Sequence, residues 1–182
     1  MARIALVNPN TSIATTERMV GIARDAAPAG VEIAGLTAGF GAPLITNAAA
    51  LAVAADAVLA LADDLRPYDT VIVAAFGDPG RDRLADLLPA PVVGIAEAAM
   101  AEAAARSDGR FAVATTTPDL RESILALGRR YGHGDALVSV RTPDGDAATL
   151  MADAAAVTAT LADLVRTAIR EDGARAVIIG GG

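Results

Sequence analysis

Two apolar runs that end in glycine-rich turns constrain the fold of this chain more than any other feature. The first is VIVAAFGDPG, residues 71–80, and the second is VIIGGG, residues 177–182. A short run of Val and Ile that stops at glycine is typical of a buried strand in a parallel sheet. Open α/β sheets bind ligands at the carboxyl ends of their strands, so these turns are candidate ligand sites.

Strand-like and helix-like segments alternate along the whole chain. This alternation predicts an α/β fold with parallel sheets and right-handed crossovers. The predicted strands are residues 3–7, 31–36, 70–75, 91–95, 111–115, 136–141 and 176–179. The predicted helices are residues 13–25, 48–65, 81–88, 96–106, 118–131 and 152–171.

The two halves of the chain repeat this order of elements. IALVNPNTS, residues 4–12, corresponds to FAVATTTPD, residues 111–119, and VIVAAFG corresponds to VIIGGG. We therefore expect two pseudo-symmetric α/β lobes, residues 1–95 and 96–182, each with a parallel sheet flanked by helices and with a ligand cleft between them. The second half stops where the first continues into a helix and a strand, so we also expect a further C-terminal segment.

Composition excludes several kinds of chemistry. The chain has no Cys, one His and 15 basic residues, all of them Arg, so thiolate, Schiff-base and multi-histidine metal sites have no residues to form them. The net charge of −7 and the absence of a basic stripe argue against nucleic acid and anionic membranes as partners. No apolar run reaches the ~20 residues of a membrane span, and no signal peptide is visible. We expect a cytoplasmic protein that needs neither a cofactor nor a metal.

Two polar turns follow predicted strands. In NPNTS, Asn8 and Asn10 carry amides, and Thr11 or Ser12 can cap the next helix. The free N–H groups of such a turn favour a carboxylate, imide or ureide. In TTTPD, residues 115–119, three threonine hydroxyls precede a proline that suits a first helical turn. Both turns can equally serve as helix caps alone.

Further candidates lie in FGDPG and in the loops. Asp78 forms a tight-turn motif with Pro79 and Gly80, and it can also act as a general base. Thr46 and Asn47 either line a cleft or cap the helix that follows. We interpret His133 as a surface residue and Glu97 as an acid in the first turn of a helix, although a catalytic role for Glu97 stays open.

Taken together, the motifs resemble those of the aspartate/glutamate/hydantoin racemase superfamily, and its hydantoin and allantoin branch most of all. The motifs that carry this resemblance are VNPNTS, VIVAAFGDPG, PVVGIAEAA, TTTP and GARAVIIGGG. The resemblance implies a two-lobed fold and cofactor-independent proton transfer at a carbon next to a carbonyl. It implies two cysteines, one per lobe, at the positions held here by Ala75 and Gly181. It also implies a C-terminal segment that returns to the first lobe.

We interpret the chain as a racemase or isomerase-type protein that binds a small carboxylate, amino acid or hydantoin-like ureide, and its assembly into a homo-oligomer stays open. The alternatives are a non-catalytic ligand binder, or a lyase or hydrolase that works without thiols. Asp78 is the predicted catalytic residue. The predicted substrate-binding residues are Asn8, Asn10, Thr11, Thr46, Phe76, Gly77, Thr115, Thr116, Thr117, Gly181 and Gly182.

Overall fold

The protein, described by a computed structural model over residues 2–145 and 147–180, alternates strands and helices as its sequence predicts. The strands are β1 (Ala2–Asn8), β2 (Val31–Thr37), β3 (Thr70–Val73), β4 (Val92–Gly94), β5 (Phe111–Ala114), β6 (Leu137–Arg141) and β7 (Ala176–Ile179). The α-helices are α1 (Ile13–Ala26), α2 (Ala48–Leu59), α3 (Ala62–Leu65), α4 (Arg81–Leu87), α5 (Ile95–Arg106), α6 (Arg121–Arg130), α7 (Ala147–Met151) and α8 (Ala154–Glu171).

The strands form two parallel sheets, which confirms the predicted fold class. One sheet has four strands in the order β2-β1-β3-β4, and the other has three in the order β6-β5-β7. In the first sheet β1 lies between β2 and β3, and in the second sheet β5 lies between β6 and β7. Both halves therefore share one strand order, as the repeated sequence motifs lead one to expect.

The chain divides into two compact units. One comprises Met1–Ile45 with Ala49–Ile95, and the other comprises Thr46–Ala48 with Ala96–Gly182. The first contains the four-stranded sheet and the second the three-stranded sheet. The lobe boundaries inferred from the sequence stay a prediction.

Both faces of the four-stranded sheet are covered by apolar side chains. Successive residues of a strand point to opposite faces. Accordingly, Val7 packs with Val58 and Leu84 of the helices α2 and α4, whereas Leu6 packs with Val20 of α1. A helix layer on each side explains why β1 and β3 are apolar at nearly every position.

The three-stranded sheet has a fully buried central strand. All four residues of β5 have no exposed surface. Ala112 packs against Ala168 of α8 and against Ala174, so small side chains let this helix lie close to the strand. The TTTPD turn begins directly after this buried strand.

One predicted helix is wrong in its extent. Residues 48–65 form two helices, α2 and α3, instead of one. The N–H of Leu61 bonds the carbonyl of Val58, a tighter i to i−3 contact that ends α2. Asp63 and Asp64 then lie in the first turn of α3, where the positive end of a helix dipole favours carboxylates.

Smaller differences occur in the second half. The predicted helix at 118–131 begins as a 3-10 turn, Pro118–Leu120, and continues as α6. The helix α7 was not predicted. The long helix starts at Ala154 instead of residue 152, because Asp153 caps it by accepting hydrogen bonds from the N–H groups of Ala155 and Ala156.

Among residues 2–145 and 147–180, every helix is too short or too polar to cross a membrane.

Candidate functional site

Three threonines occupy the carboxyl end of β5, and all are buried. Thr115 and Thr116 have no exposed surface, and Thr117 is 6% exposed. The hydroxyl of Thr115 donates to the carbonyl of Gly180, 3.0 Å away, at the end of the neighbouring strand β7. It also lies 2.9 Å from the hydroxyl of Thr117. The ends of two adjacent strands are thus tied together by one side chain.

The hydroxyl of Thr116 is different from its neighbours. It is buried and has no hydrogen-bond partner within the described part of the chain. Buried polar groups in folded proteins are usually paired, so an unpaired hydroxyl marks a place where a ligand or water belongs. TTTPD therefore has unused hydrogen-bonding capacity, and the Thr117 side chain does not cap the 3-10 turn that follows it. Pro118 stands at the first position of the 3-10 turn, as predicted.

The side chains of the NPNTS turn form hydrogen bonds mainly within the turn and with the start of α1. The Asn8 amide, which is fully buried, donates to the Asn10 side-chain oxygen, the Ser12 carbonyl and the Thr16 hydroxyl at 2.8–3.0 Å. The Asn10 oxygen in turn accepts from the N–H of Ser12 at 2.9 Å. The Ser12 hydroxyl caps α1 by accepting from the N–H of Thr15. These contacts favour a structural role for Asn8 within the turn, and Ser12 is the residue that caps α1.

Thr11, within this turn, and Thr46, in the second unit, have different settings. The N–H of Thr11 donates to the carbonyl of Ala42, which ties the turn to the 38–47 loop. Both threonines are half-buried. Asn47, which follows Thr46, is exposed.

The FGDPG turn is built around a buried carboxylate. Asp78 is 2% exposed and has a left-handed backbone, with φ of 48°. Its carboxyl group lies directly over Gly94, the last residue of β4, so a Cβ on Gly94 would overlap it. Gly80, with φ of 75°, lies where a Cβ would be 2.8 Å from the carbonyl oxygen of Ala55. The turn is therefore packed against both β4 and α2.

Asp78 consequently sits at the start of α5, which begins immediately after Gly94. A carboxylate is stabilised there by the positive end of the helix dipole. This position favours a structural role in the turn over that of an exposed base. Ala75, Phe76 and Gly77, which precede Asp78 in the same turn, are half-buried. Gly181 and Gly182 lie outside the described residues.

Three ring side chains, those of His133, Tyr131 and Tyr68, lie near the amino ends of strands. His133 packs edge-on against Phe111, the first residue of β5, at 6.0 Å between ring centroids. His133 is half-buried, so part of its surface stays exposed, and its interpretation as a surface residue stays a prediction. Tyr131 follows the last residue of α6, and Tyr68 precedes β3 and packs under Arg3. None of these three can act at the carboxyl end of its strand.

Glu97 lies in the first turn of α5, as expected of an acid that complements a helix dipole. In the described ranges, no group of three or more His, Cys, Asp or Glu side chains is arranged to hold a metal ion.

An ion-pair cluster that sequence reasoning missed lies on the second sheet. The Asp172 carboxylate accepts from the Ser139 hydroxyl at 2.6 Å and from Nε of Arg141 at 2.8 Å. The hydrogen bond from Arg141, aided by that from Ser139 and opposed by burial, lowers the pKa of Asp172 below its usual value. The same pairing raises the pKa of Arg141. With Arg121, Val140 and Thr142, these residues line a surface depression of about 350 Å³.

Comparison with known proteins identifies the class of protein that this fold and these turns define. A family model described as Asp/Glu/Hydantoin racemase matches residues 4–182. The chain belongs to that family, which confirms the resemblance inferred from its motifs.

Proteins similar to this chain include hydantoin and allantoin racemases. The hydantoin racemase of Paenarthrobacter aurescens is 30% identical over 181 residues, covering 98% of this chain and 76% of that protein. The allantoin racemase of Klebsiella pneumoniae matches with a TM-score of 0.91 at 32% identity, over 99% of this chain and 74% of that one. The allantoin racemase of Pseudomonas fluorescens matches with a TM-score of 0.91 at 34% identity, over 98% and 76%.

Proposed function

We propose that this chain is a racemase or isomerase-type protein that binds a small ureide or carboxylate at the carboxyl ends of its strands. The observation that carries this proposal is the buried threonine turn 115–117, in which the Thr116 hydroxyl has no partner in the described part of the chain. A small ligand rich in N–H and C=O groups would supply the missing hydrogen bond. The names of the relatives, hydantoin and allantoin racemases, support this class of ligand.

The chain can bind a ligand without having the groups that two-thiol proton transfer requires. Two-thiol chemistry needs a cysteine on each side of the substrate, and the corresponding positions hold Ala75 and Gly181. Neither alanine nor glycine can exchange a proton with a substrate. In this proposal the chain keeps the binding groups and, as its sequence stands, does not carry out two-thiol racemisation.

A second candidate is an isomerase, lyase or hydrolase that works without thiols. It is favoured by the location of Asp78, which lies three residues from Ala75 in the same turn and can act as a general base. Against it stands the burial of Asp78 over Gly94. Such chemistry needs the Asp78 carboxylate to reach a ligand.

Ligand-observed NMR tests the binding claim. The full chain would be titrated with 5-methylhydantoin, allantoin, aspartate and succinate, and the T116V variant would be compared. We expect at least one of these ligands to bind and T116V to weaken its affinity. T70V, which changes a half-buried threonine at the amino end of β3, is the matched control and leaves the affinity unchanged. No binding by any of the four ligands would contradict the proposal.

A further inference from the structure

The hydroxyl protons of the threonine turn can be assigned from the geometry alone. A threonine hydroxyl has one proton to donate and two lone pairs to accept with. Thr115 lies 3.0 Å from the carbonyl oxygen of Gly180, which can only accept, so Thr115 donates its single proton there. In the 2.9 Å contact between Thr115 and Thr117, the donor must then be Thr117.

The surrounding backbone holds this arrangement in place. The N–H of Gly180 bonds the carbonyl of Ala114 at 2.9 Å, which fixes the strand that carries the accepting carbonyl. The N–H of Thr115 bonds the carbonyl of Arg141 at 3.0 Å on the other side. Thr115 is fully buried, so water does not compete for its hydroxyl. The proton of Thr117 is therefore directed inward, toward Thr115.

The consequence concerns what Thr117 can offer to a ligand. With its own proton donated to Thr115, the Thr117 oxygen can offer a ligand only its lone pairs. A lone pair attracts an N–H group and repels a carboxylate oxygen, which is also only an acceptor. Thr117 is the member of the turn that keeps some exposed surface, at 6%.

We propose that Thr115 is a positioning residue that makes Thr117 an acceptor, so that the site selects an N–H-bearing ureide over a carboxylate. This inference rests on the proposed ligand binding and narrows it to one ligand class. Thr115 does not touch the ligand and acts through the direction of one hydroxyl proton. Removing its hydroxyl frees the Thr117 proton to donate to a carboxylate, which weakens the preference for the ureide.

The test compares two ligands on three chains. The affinities of 5-methylhydantoin and succinate are measured by calorimetry for the unchanged chain, T115V and T115S. The unchanged chain binds the hydantoin more tightly. T115V lowers the ratio of hydantoin to succinate affinity by about tenfold, the equivalent of one hydrogen bond of about 1.4 kcal/mol. T115S, which keeps the hydroxyl, restores the ratio, and T70V, at the amino end of β3, leaves it unchanged.

A purely structural role for Thr115 would lower both affinities by the same factor, and that result overturns the inference. If the unchanged chain binds neither ligand, the proposed function itself fails. Neutron diffraction from deuterium-exchanged crystals of the unchanged chain gives a readout that needs no variant to fold. We expect the deuterium of Thr117 between its own oxygen and that of Thr115, and density in any other direction overturns the inference.

Discussion

The carboxylate of Asp78 occupies the space in which a side chain on Gly94 would stand. A Cβ at position 94 would lie much closer than 3.0 Å to the carboxyl carbon and to both oxygens of Asp78. Asp78 also adopts a left-handed backbone, which few residues other than glycine accept readily. Asp78 therefore requires glycine at position 94. The contact between the two residues holds the FGDPG turn, and Ala75 just before it, against the end of β4.

Replacing Gly94 tests this relationship. We expect G94A to lower the free energy of unfolding by about 3 kcal/mol, because the added methyl group must displace a buried carboxylate. The double variant D78A/G94A should lose less than the sum of the two single variants, because the overlap is removed. Urea denaturation measures all three.

The matched control is G21A. Gly21 lies in α1, and a Cβ there would meet no atom within 4 Å. The substitution should stabilise the chain slightly, by about 0.5–1 kcal/mol, because alanine favours a helix. Equal losses for G21A and G94A, or additive losses in the double variant, would contradict the packing relationship.

The Asp172 cluster predicts a dependence of stability on pH. The pKa of Asp172 is lowered in the folded state, chiefly by Arg141, so its ionised form stabilises the fold above the unfolded pKa of about 4. That contribution is lost as the pH falls below about 4 toward the folded pKa. We expect D172N to cost about 1–3 kcal/mol at pH 7, since a charged hydrogen bond is weakened.

The difference between D172N and the unchanged chain should shrink in urea titrations between pH 4 and pH 3. D163N is the control, because Asp163 pairs with Arg166 on the exposed surface and should change stability by less than about 0.5 kcal/mol. A D172N effect of constant size from pH 7 to pH 3 would rule out the ionic contribution.

Thr115 and Thr116 should respond oppositely to the same substitution. T116V removes a hydroxyl that is buried without a partner in the described residues, so it should stabilise the ligand-free protein by about 1 kcal/mol. T115V removes a hydroxyl that bonds Gly180 and Thr117, so it should destabilise by about 1 kcal/mol. The midpoint temperatures of thermal unfolding of the two variants, compared with that of the unchanged chain, test this prediction. A loss of stability in T116V would mean that its hydroxyl has a partner after all.

The alternation of apolar runs and polar turns was sufficient to predict the α/β fold, because buried parallel strands leave a clear signal in sequence. The division of residues 48–65 into two helices was missed because their alanine-rich sequence favours a helix throughout. The acidic pair Asp63 and Asp64 was the signal in the sequence that could have indicated the start of the second helix, α3. The pairing of Arg141 with Asp172 joins residues 31 positions apart, and neither periodicity nor spacing encodes it.

The candidate site was predicted in part. The polar turns after β1 and β5 follow from parallel topology, since strand ends bring such residues to one edge of a sheet. Which groups stay unpaired could not be predicted, because that depends on distances of a few tenths of an ångström. The sequence offered Asn8 and Thr116 as equivalent polar candidates. The Asn8 amide donates its hydrogen bonds within its own turn and to Thr16. The hydroxyl of Thr116, in contrast, has no hydrogen-bond partner in the described part of the chain.

The most direct test of the account follows the proton next to the carbonyl by NMR. The unchanged chain and the variant A75C/G181C are incubated with 5-methylhydantoin in deuterated buffer, and binding is recorded in the same spectra. The account predicts that both chains bind the ligand. Deuterium should enter at the ring carbon beside the carbonyl faster than in buffer only with the two cysteines present. Exchange catalysed by the unchanged chain and abolished by D78N would contradict the account and assign the chemistry to Asp78.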